Sequence, residues 1–353
     1  MVTQRKPKSS KFLTVPTRPI PVDRDRSVAG LLEKMEGAGF GAKQLAEAHR
    51  IWLDMLDDNC TIYMCASGNL VPAGLRRLLA YVIKNRFVDV LVLSGGTIFA
   101  DLHETLGRHY YQAHPNMADD ELETSQVVRI GDMLANQEEY READEWIGSV
   151  INQLEQGRAY STREFLHLIG RELAEIANED GILTSAFKAR VPIYCADLAA
   201  SEVGVGMVRS RFEKKTQFVF DNVQDSLELM QVAQRTRNSG FINLGSHDAK
   251  NFLDLAELSL YIVRTNPRGH KYAISIANDT PPQGARTPSI ENTYTSNFGK
   301  LVRGATTAYV DCDASIAIPM LVTALSQTAA KYMKGRKRPN FIFQGKDLQV
   351  DIP

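Results

Sequence analysis

Thr61-Ile62-Tyr63-Met64-Cys65-Ala66, followed at once by Ser67-Gly68-Asn69-Leu70, decides the fold. An unbroken apolar and β-branched run, closed by small turn formers and then by apolar residues at helical spacing over 71–85, reads as a buried strand feeding a helix. The same phrase recurs along the chain. Residues 88–94 run into Gly95-Gly96-Thr97, 191–196 into Asp197, 241–245 into Ser246-His247-Asp248 and 272–277 into Asn278-Asp279, with further strand-like runs at 217–220, 306–311 and 340–343. Amphipathic stretches such as 161–178, 221–236 and 314–332 lie between them. Strand alternating with helix predicts an α/β, Rossmann-like doubly wound fold, with a mostly parallel sheet and helices on both faces, in a single large domain over 26–346. Residues 1–25, with four prolines and many charges, are expected as an extended N-terminal arm, 115–157 as an acidic helical excursion, and 347–353 as a C-terminal tail.

Composition narrows the classes of function. With 353 residues, 44% of them hydrophobic, the chain can bury a large core. Forty-one Lys+Arg against 42 Asp+Glu leave a net charge of −1, so no global field draws in nucleic acid or an anionic membrane, and a small-molecule partner is expected. The basic runs Arg5-Lys6-Pro7-Lys8 and Lys334-Gly335-Arg336-Lys337-Arg338 read as solvated tails or helix exits. Cys60, Cys65, Cys195 and Cys312 form no CxxC pair and read as reduced, structural thiols. His103, His109 and His114 are not spaced to share a helix face, so no metal site is expected. No apolar stretch reaches the ~18 residues of a membrane span, and the expected location is the cytoplasm.

In an open parallel sheet the ligand crevice lies at the carboxyl ends of the strands. The turns found there, Ser67-Gly68-Asn69-Leu70, Ser94-Gly95-Gly96, Asp197, Gly245-Ser246 and Asn278-Asp279, are of the small and acidic types that let a phosphate approach the backbone and hold a ribose hydroxyl. Together they read as one nucleotide site. No GxGxxG opens a helix after a strand, and Gly204-Val205-Gly206 reads as a packing feature inside a helix. Lys300, in Asn297-Phe298-Gly299-Lys300 ahead of the last long strand, sits beside a glycine and an aromatic ring and is the candidate nucleophile, since a desolvated amine attacks carbonyls and imines. His247, on the turn after residues 241–245, is a candidate acid/base.

The order and spacing of Asn69-Leu70 with Gly74-Leu75-Arg76, of Gly95-Gly96 with Asp101-Leu102, of Pro192 with Asp197, of Leu244-Gly245 with Lys250, and of Gly299-Lys300 with Asp313-Ala314-Ser315 resemble the deoxyhypusine synthase family, over nearly the whole chain. The resemblance implies NAD as cofactor, aminobutyl transfer from spermidine or putrescine through a lysine imine, and a homotetramer with active sites shared between subunits. It places Lys300 as the imine-forming lysine, Phe298 where the family has tryptophan, and Glu202 where the family has an aspartate on the far ammonium of the donor. It also assigns Asp197, Asp313, Ala314, Ser94-Gly95-Gly96, the 67–72 turn and Ser246 to the dinucleotide.

Several positions depart from the family pattern. Phe99-Ala100 replaces a pair of glutamates, and Lys250-Asn251-Phe252 replaces Lys-His-His, putting Asn251 where an acid/base histidine would stand. The 279–286 loop lacks the acidic run that helps hold a polyamine, and Glu291 or Tyr294 is the candidate for the family's glutamate in this loop. Losing carboxylates weakens attraction for a polycation. The expected activity is therefore a NAD-dependent aminoalkyl transfer to a small amine, similar to homospermidine synthases. The alternatives are a deoxyhypusine synthase with a protein lysine acceptor, or a NAD-binding relative without transferase activity.

Overall fold

The chain is described over residues 15–22, 24–114, 117–245, 248–263, 268–278 and 300–352 of a computed structural model. Helices α1 (Val28–Met35) and α2 (Phe40–Asp57) lead into β1 (Thr61–Ala66), α3 (Arg76–Lys84), β2 (Val90–Leu93) and α4 (Gly95–Thr105). An excursion follows, made of β3 (Tyr111–Gln112), α5 (Asp119–Thr124), β4 (Val127–Ile130), β5 (Met133–Asn136) and α6 (Gln137–Gln153). The chain returns through β6 (Ala159–Tyr160), α7 (Thr162–Ile176) and α8 (Ile182–Ala189) to β7 (Ile193–Tyr194), then α9 (Glu202–Lys214), β8 (Val219–Phe220) and α10 (Asn222–Arg235). It continues with β9 (Ser239–Leu244), α11 (Asp248–Leu258), β10 (His270–Ala277), β11 (Leu301–Asp311), the helix Ala314–Thr328, and a hairpin of β12 (Asn340–Gln344) and β13 (Asp347–Asp351).

Six strands form the central sheet in the order β11-β10-β9-β1-β2-β7, every neighbouring pair parallel. Every residue of β1, β2 and β9 is buried, as strands covered on both faces must be. Side chains alternate between two cores: Ile62, Met64, Leu91 and Leu93 join Trp52, Leu79 and Leu321 on one face, whereas Tyr63, Cys65, Val90 and Val92 join Leu229, Leu253 and Phe341 on the other. The expected doubly wound α/β architecture is what forms. Strand order reverses between β1 and β9, so the loops leaving these two strands diverge and leave a crevice.

Three expectations change. Residues 347–351 are no loose tail: β13 pairs antiparallel with β12 and buries Leu348 and Val350 against the core on the β9 side. The 115–157 excursion holds, besides α5 and α6, two strands of a three-stranded antiparallel sheet, because Val127–Ile130 and Met133–Asn136 are short apolar runs split by a turn at Gly131. Arg336, read as part of a solvated basic run, has a fully buried side chain: its guanidinium lies 2.6 Å from Asp89 and donates to the Cys60 and Arg86 carbonyls. Only the planar fork of an arginine reaches so many acceptors at once.

Candidate active site

The crevice at the switch point is built by backbone. After β1 the chain turns through Gly68 at φ +81°, and after β9 through Gly245 at φ +59°, conformations that favour glycine. Ser67 Oγ donates to the Gly245 carbonyl at 3.0 Å, and the Gly245 N–H donates to the Ile276 carbonyl at 2.9 Å, tying the loops after β1, β9 and β10 into one rim. The cavity they enclose has a volume of about 330 Å³ and is lined by Ser67, Gly68, Asn69, Leu70, Gly245, Asn278, Asp313 and Ala314, together with Ala73, Leu244, Ile276, Ala277 and Ser315. Eight residues expected at the nucleotide from sequence thus line one cavity. The wall residues missed by sequence reading, Leu244, Ile276 and Ala277, are the last turns of buried strands and carry no polar signal.

A second group stands beside this cavity. Ser94 caps α4 by accepting from the Thr97 N–H, and Thr97 Oγ1 donates to the Gly68 carbonyl at 3.1 Å, which fixes the amino end of α4 to the crevice rim. The Gly95 N–H donates to Asp197 Oδ1 at 3.0 Å. A Cβ on Gly95 would fall 2.4 Å from Ser201, so glycine is required for α9 to approach. Gly96 is exposed, and Glu202, in the first turn of α9, sends its carboxylate over it. Asp313 accepts from the Ser315 N–H at 2.8 Å as cap of the helix Ala314–Thr328, and the Ser315 side chain, then that backbone bond, hold its carboxyl below the usual range. Gly204 and Gly206 lie in α9, Gly206 packed against Ile147 of α6.

Lys300 lies elsewhere. Its carbonyl accepts from the His270 N–H at 3.0 Å, which places it just ahead of β11 at the amino end of the sheet. The crevice is at the carboxyl end, a strand length of roughly 23 Å away at ~3.3 Å per residue. Its Nζ is 3.1 Å from Asp254 Oδ2, and the same oxygen is 2.6 Å from the Nζ of buried Lys250. Below them, His270 Nε2 lies 3.1 Å from Glu257 Oε2, off hydrogen-bond geometry, and His270 Nδ1 shares a 2.9 Å bond with Ser239 Oγ. Burial, then the neighbouring Asp254 charge, pushes the Glu257 carboxyl up to about 8, and burial pushes His270 down to about 4. Asp254, Glu257 and His270 were not singled out from sequence; the i,i+4 spacing of Lys250 and Asp254 on α11 was the available signal. Asn251 is exposed on the first turn of α11. Ser246, His247, Asp279, Glu291, Tyr294 and Phe298 lie outside the described residues.

No group of His, Cys, Asp and Glu suited to a metal ion occurs among the described residues, and no described helix is long and apolar enough to cross a membrane. Comparison with known proteins places the chain. The family model for deoxyhypusine synthase matches residues 30–325. Two proteins named probable deoxyhypusine synthase 2 are similar along their length: that of Methanosarcina acetivorans is 35% identical over 96% of this chain and 98% of its own, and that of Methanosarcina mazei 34% identical over 94% of each. Among solved structures, that of "a putative deoxyhypusine synthase from Entamoeba histolytica" shares the fold with a TM-score of 0.59 at 16% identity, covering 85% of this chain and 93% of that one. With the family model spanning most of its length, this chain belongs to the deoxyhypusine synthase family of aminobutyl transferases.

Proposed function

We propose that the protein is a NAD-dependent aminoalkyl transferase that passes a fragment of putrescine, spermidine or a related amine through an imine on Lys300 to a small amine acceptor. The observation that carries this reading is the gathering of the 67–70 turn, Gly245, Asn278, Asp313 and Ala314 around one cavity at the switch point. These residues suit a dinucleotide: nothing stands within 4 Å of where a Cβ on Gly68 or Gly245 would be, so a pyrophosphate can meet bare backbone. NAD, when bound, supplies the acceptor for hydride from the amine-bearing carbon and gives the hydride back at the end. Lys300 Nζ, after giving a proton to Asp254, adds to the oxidised carbon and expels the first amine, which leaves with a proton; the acceptor amine then displaces Lys300 in the same manner. Glu202, beside Gly96, is suited to hold a cationic end of the substrate.

Lys300 stands a strand length from the crevice of its own chain, which supports an assembly in which it serves the crevice of another copy. Exposed apolar side chains fit such self-association as a homotetramer: Val205, Val208 (68% exposed) and Phe212 (76% exposed) on α9, and Val223 and Leu227 on α10. The test is incubation with NAD⁺ and putrescine, spermidine or agmatine, read by mass spectrometry for a new secondary amine, with borohydride trapping at Lys300. A trapped adduct and product support the reading; neither, across that panel, overturns it. Labelled spermidine carbon appearing on a lysine of the hypusine-carrying translation factor would make the acceptor a protein.

A further inference from the structure

The 115–157 excursion, to which sequence reading assigned no chemistry, places a carboxylate where the mechanism has use for one. Asp144 lies on α6 one turn beyond Tyr140, so the two side chains share a face. That face meets α9 closely, since Gly206 has no side chain and its Cβ direction points at Ile147 and the Asp144 carbonyl. Asp144 is 8% exposed, and its Oδ1 is buried without a hydrogen-bond partner among the described residues. Burial raises its carboxyl to about 6; Arg209 opposes this and the Glu202 and Glu145 charges add to it. Arg209 itself is held by Glu145 at 3.0 Å and Glu213 at 3.5 Å.

An aromatic cluster stands one turn away on α6, at Tyr140. The Tyr110 and Tyr140 hydroxyls are 3.5 Å apart; burial raises both pKa values, their contact raises that of Tyr110 and lowers that of Tyr140, and the Glu202 charge, after that of Glu104 at Tyr110, adds to both. Phe99 of α4 meets Tyr140 edge-on at 5.0 Å, and His103, fully buried, packs against Tyr110 and Tyr140 at 5.1 and 5.0 Å. Phe99 and His103, both buried, lie on the face of α4 that starts at Gly96, roughly 10 Å along the axis at 1.5 Å per residue. Two carboxylates, one of them buried and lacking a partner, beside phenol rings form an environment that selects a cation with an aliphatic stem.

We infer that Asp144, with Glu202, Tyr110 and Tyr140, forms the subsite for the far cationic end, ammonium or guanidinium, of the amine substrate. This rests on the transferase reading above.

The experiment is calorimetric titration of the NAD⁺-loaded protein with putrescine, agmatine and, as a probe without a far charge, butylamine. Wild type should bind the dications more tightly than butylamine. Asp144→Asn should weaken dication binding at least tenfold, leave butylamine and NAD⁺ affinity unchanged, and so erase the preference. Tyr140→Phe, which keeps the ring, should cost the dications several-fold and provides the same comparison should Asp144→Asn fail to fold. Wild-type binding of putrescine or agmatine that neither substitution alters overturns this inference and leaves the transferase reading standing. Wild type that binds none of the amines overturns both.

Discussion

The two ends of the central sheet are both rich in polar residues, yet they are built on opposite plans. At the carboxyl end, the loops after β1, β9 and β10 present exposed glycine backbone around a cavity of about 330 Å³. Toward the amino end, Lys250, Asp254, Glu257 and His270 are buried and turned on one another, with Lys300 joining them through Asp254. Open backbone groups await a ligand, whereas the buried charges answer each other. Under the proposed transferase function, the lysine of the closed end would serve an open end across a subunit boundary, so a reactive residue need not lie at the site its own chain builds.

The sharpest way to break that contrast is to separate the two ends genetically. Lys300→Ala should lower transfer by at least about 10³-fold while NAD⁺ affinity stays near wild type. Mixed oligomers of Lys300→Ala with a crevice variant, Asp313→Ala, should recover part of the activity each lacks alone; failure to recover, with mixed assembly verified by mass spectrometry, would mean that each chain serves itself. Asp254→Ala should act on the closed end through folding, costing about 3 kcal/mol in urea titration because the buried Lys250 ammonium loses its counter-charge.

In the folded protein one proton stays on Glu257, raised to about 8, and His270, lowered to about 4, stays neutral. In the unfolded chain the glutamate is ionised above its ordinary 4.5 and the histidine is charged below 6.5. Between those two values each state holds one proton and the pair contributes no slope. Between about 6.5 and 8 only the folded state holds it, so stability falls as pH rises, by up to ~1.4 kcal/mol per pH unit. Glu257→Gln should flatten that stretch of the melting-temperature profile, and an unchanged slope would remove Glu257 as its source. The smallest effect belongs to the open end: Gly68→Ala, forced to hold φ +81°, should cost about 1 kcal/mol of stability and weaken NAD⁺ binding, both measurable by thermal shift with and without the dinucleotide.

Much of the fold was legible because strands buried on both faces are written as unbroken apolar runs: Thr61–Ala66 was readable to the residue. The crevice was legible for the related reason that each strand ends in a turn whose small residues have no role in a core. Tertiary structure decided the rest. Arg336 and Val350 look like surface and tail until the acceptors around Cys60 and Asp89 and the pairing with β12 are in place.

What the amino-acid order determined by itself was the alternation of strand and helix, the carboxyl-end location of the small-residue turns, and membership of a family. What only the folded molecule decided was which distant groups come together: Tyr110 with Tyr140, Asp144 within reach of the Glu202 charge, and Lys300 with Asp254 a strand length from the crevice. The physical reason is one of range. Hydrophobic periodicity acts over neighbouring residues and leaves a local trace, whereas the pairing of charges across elements depends on helix packing and strand order, which no short stretch of sequence records.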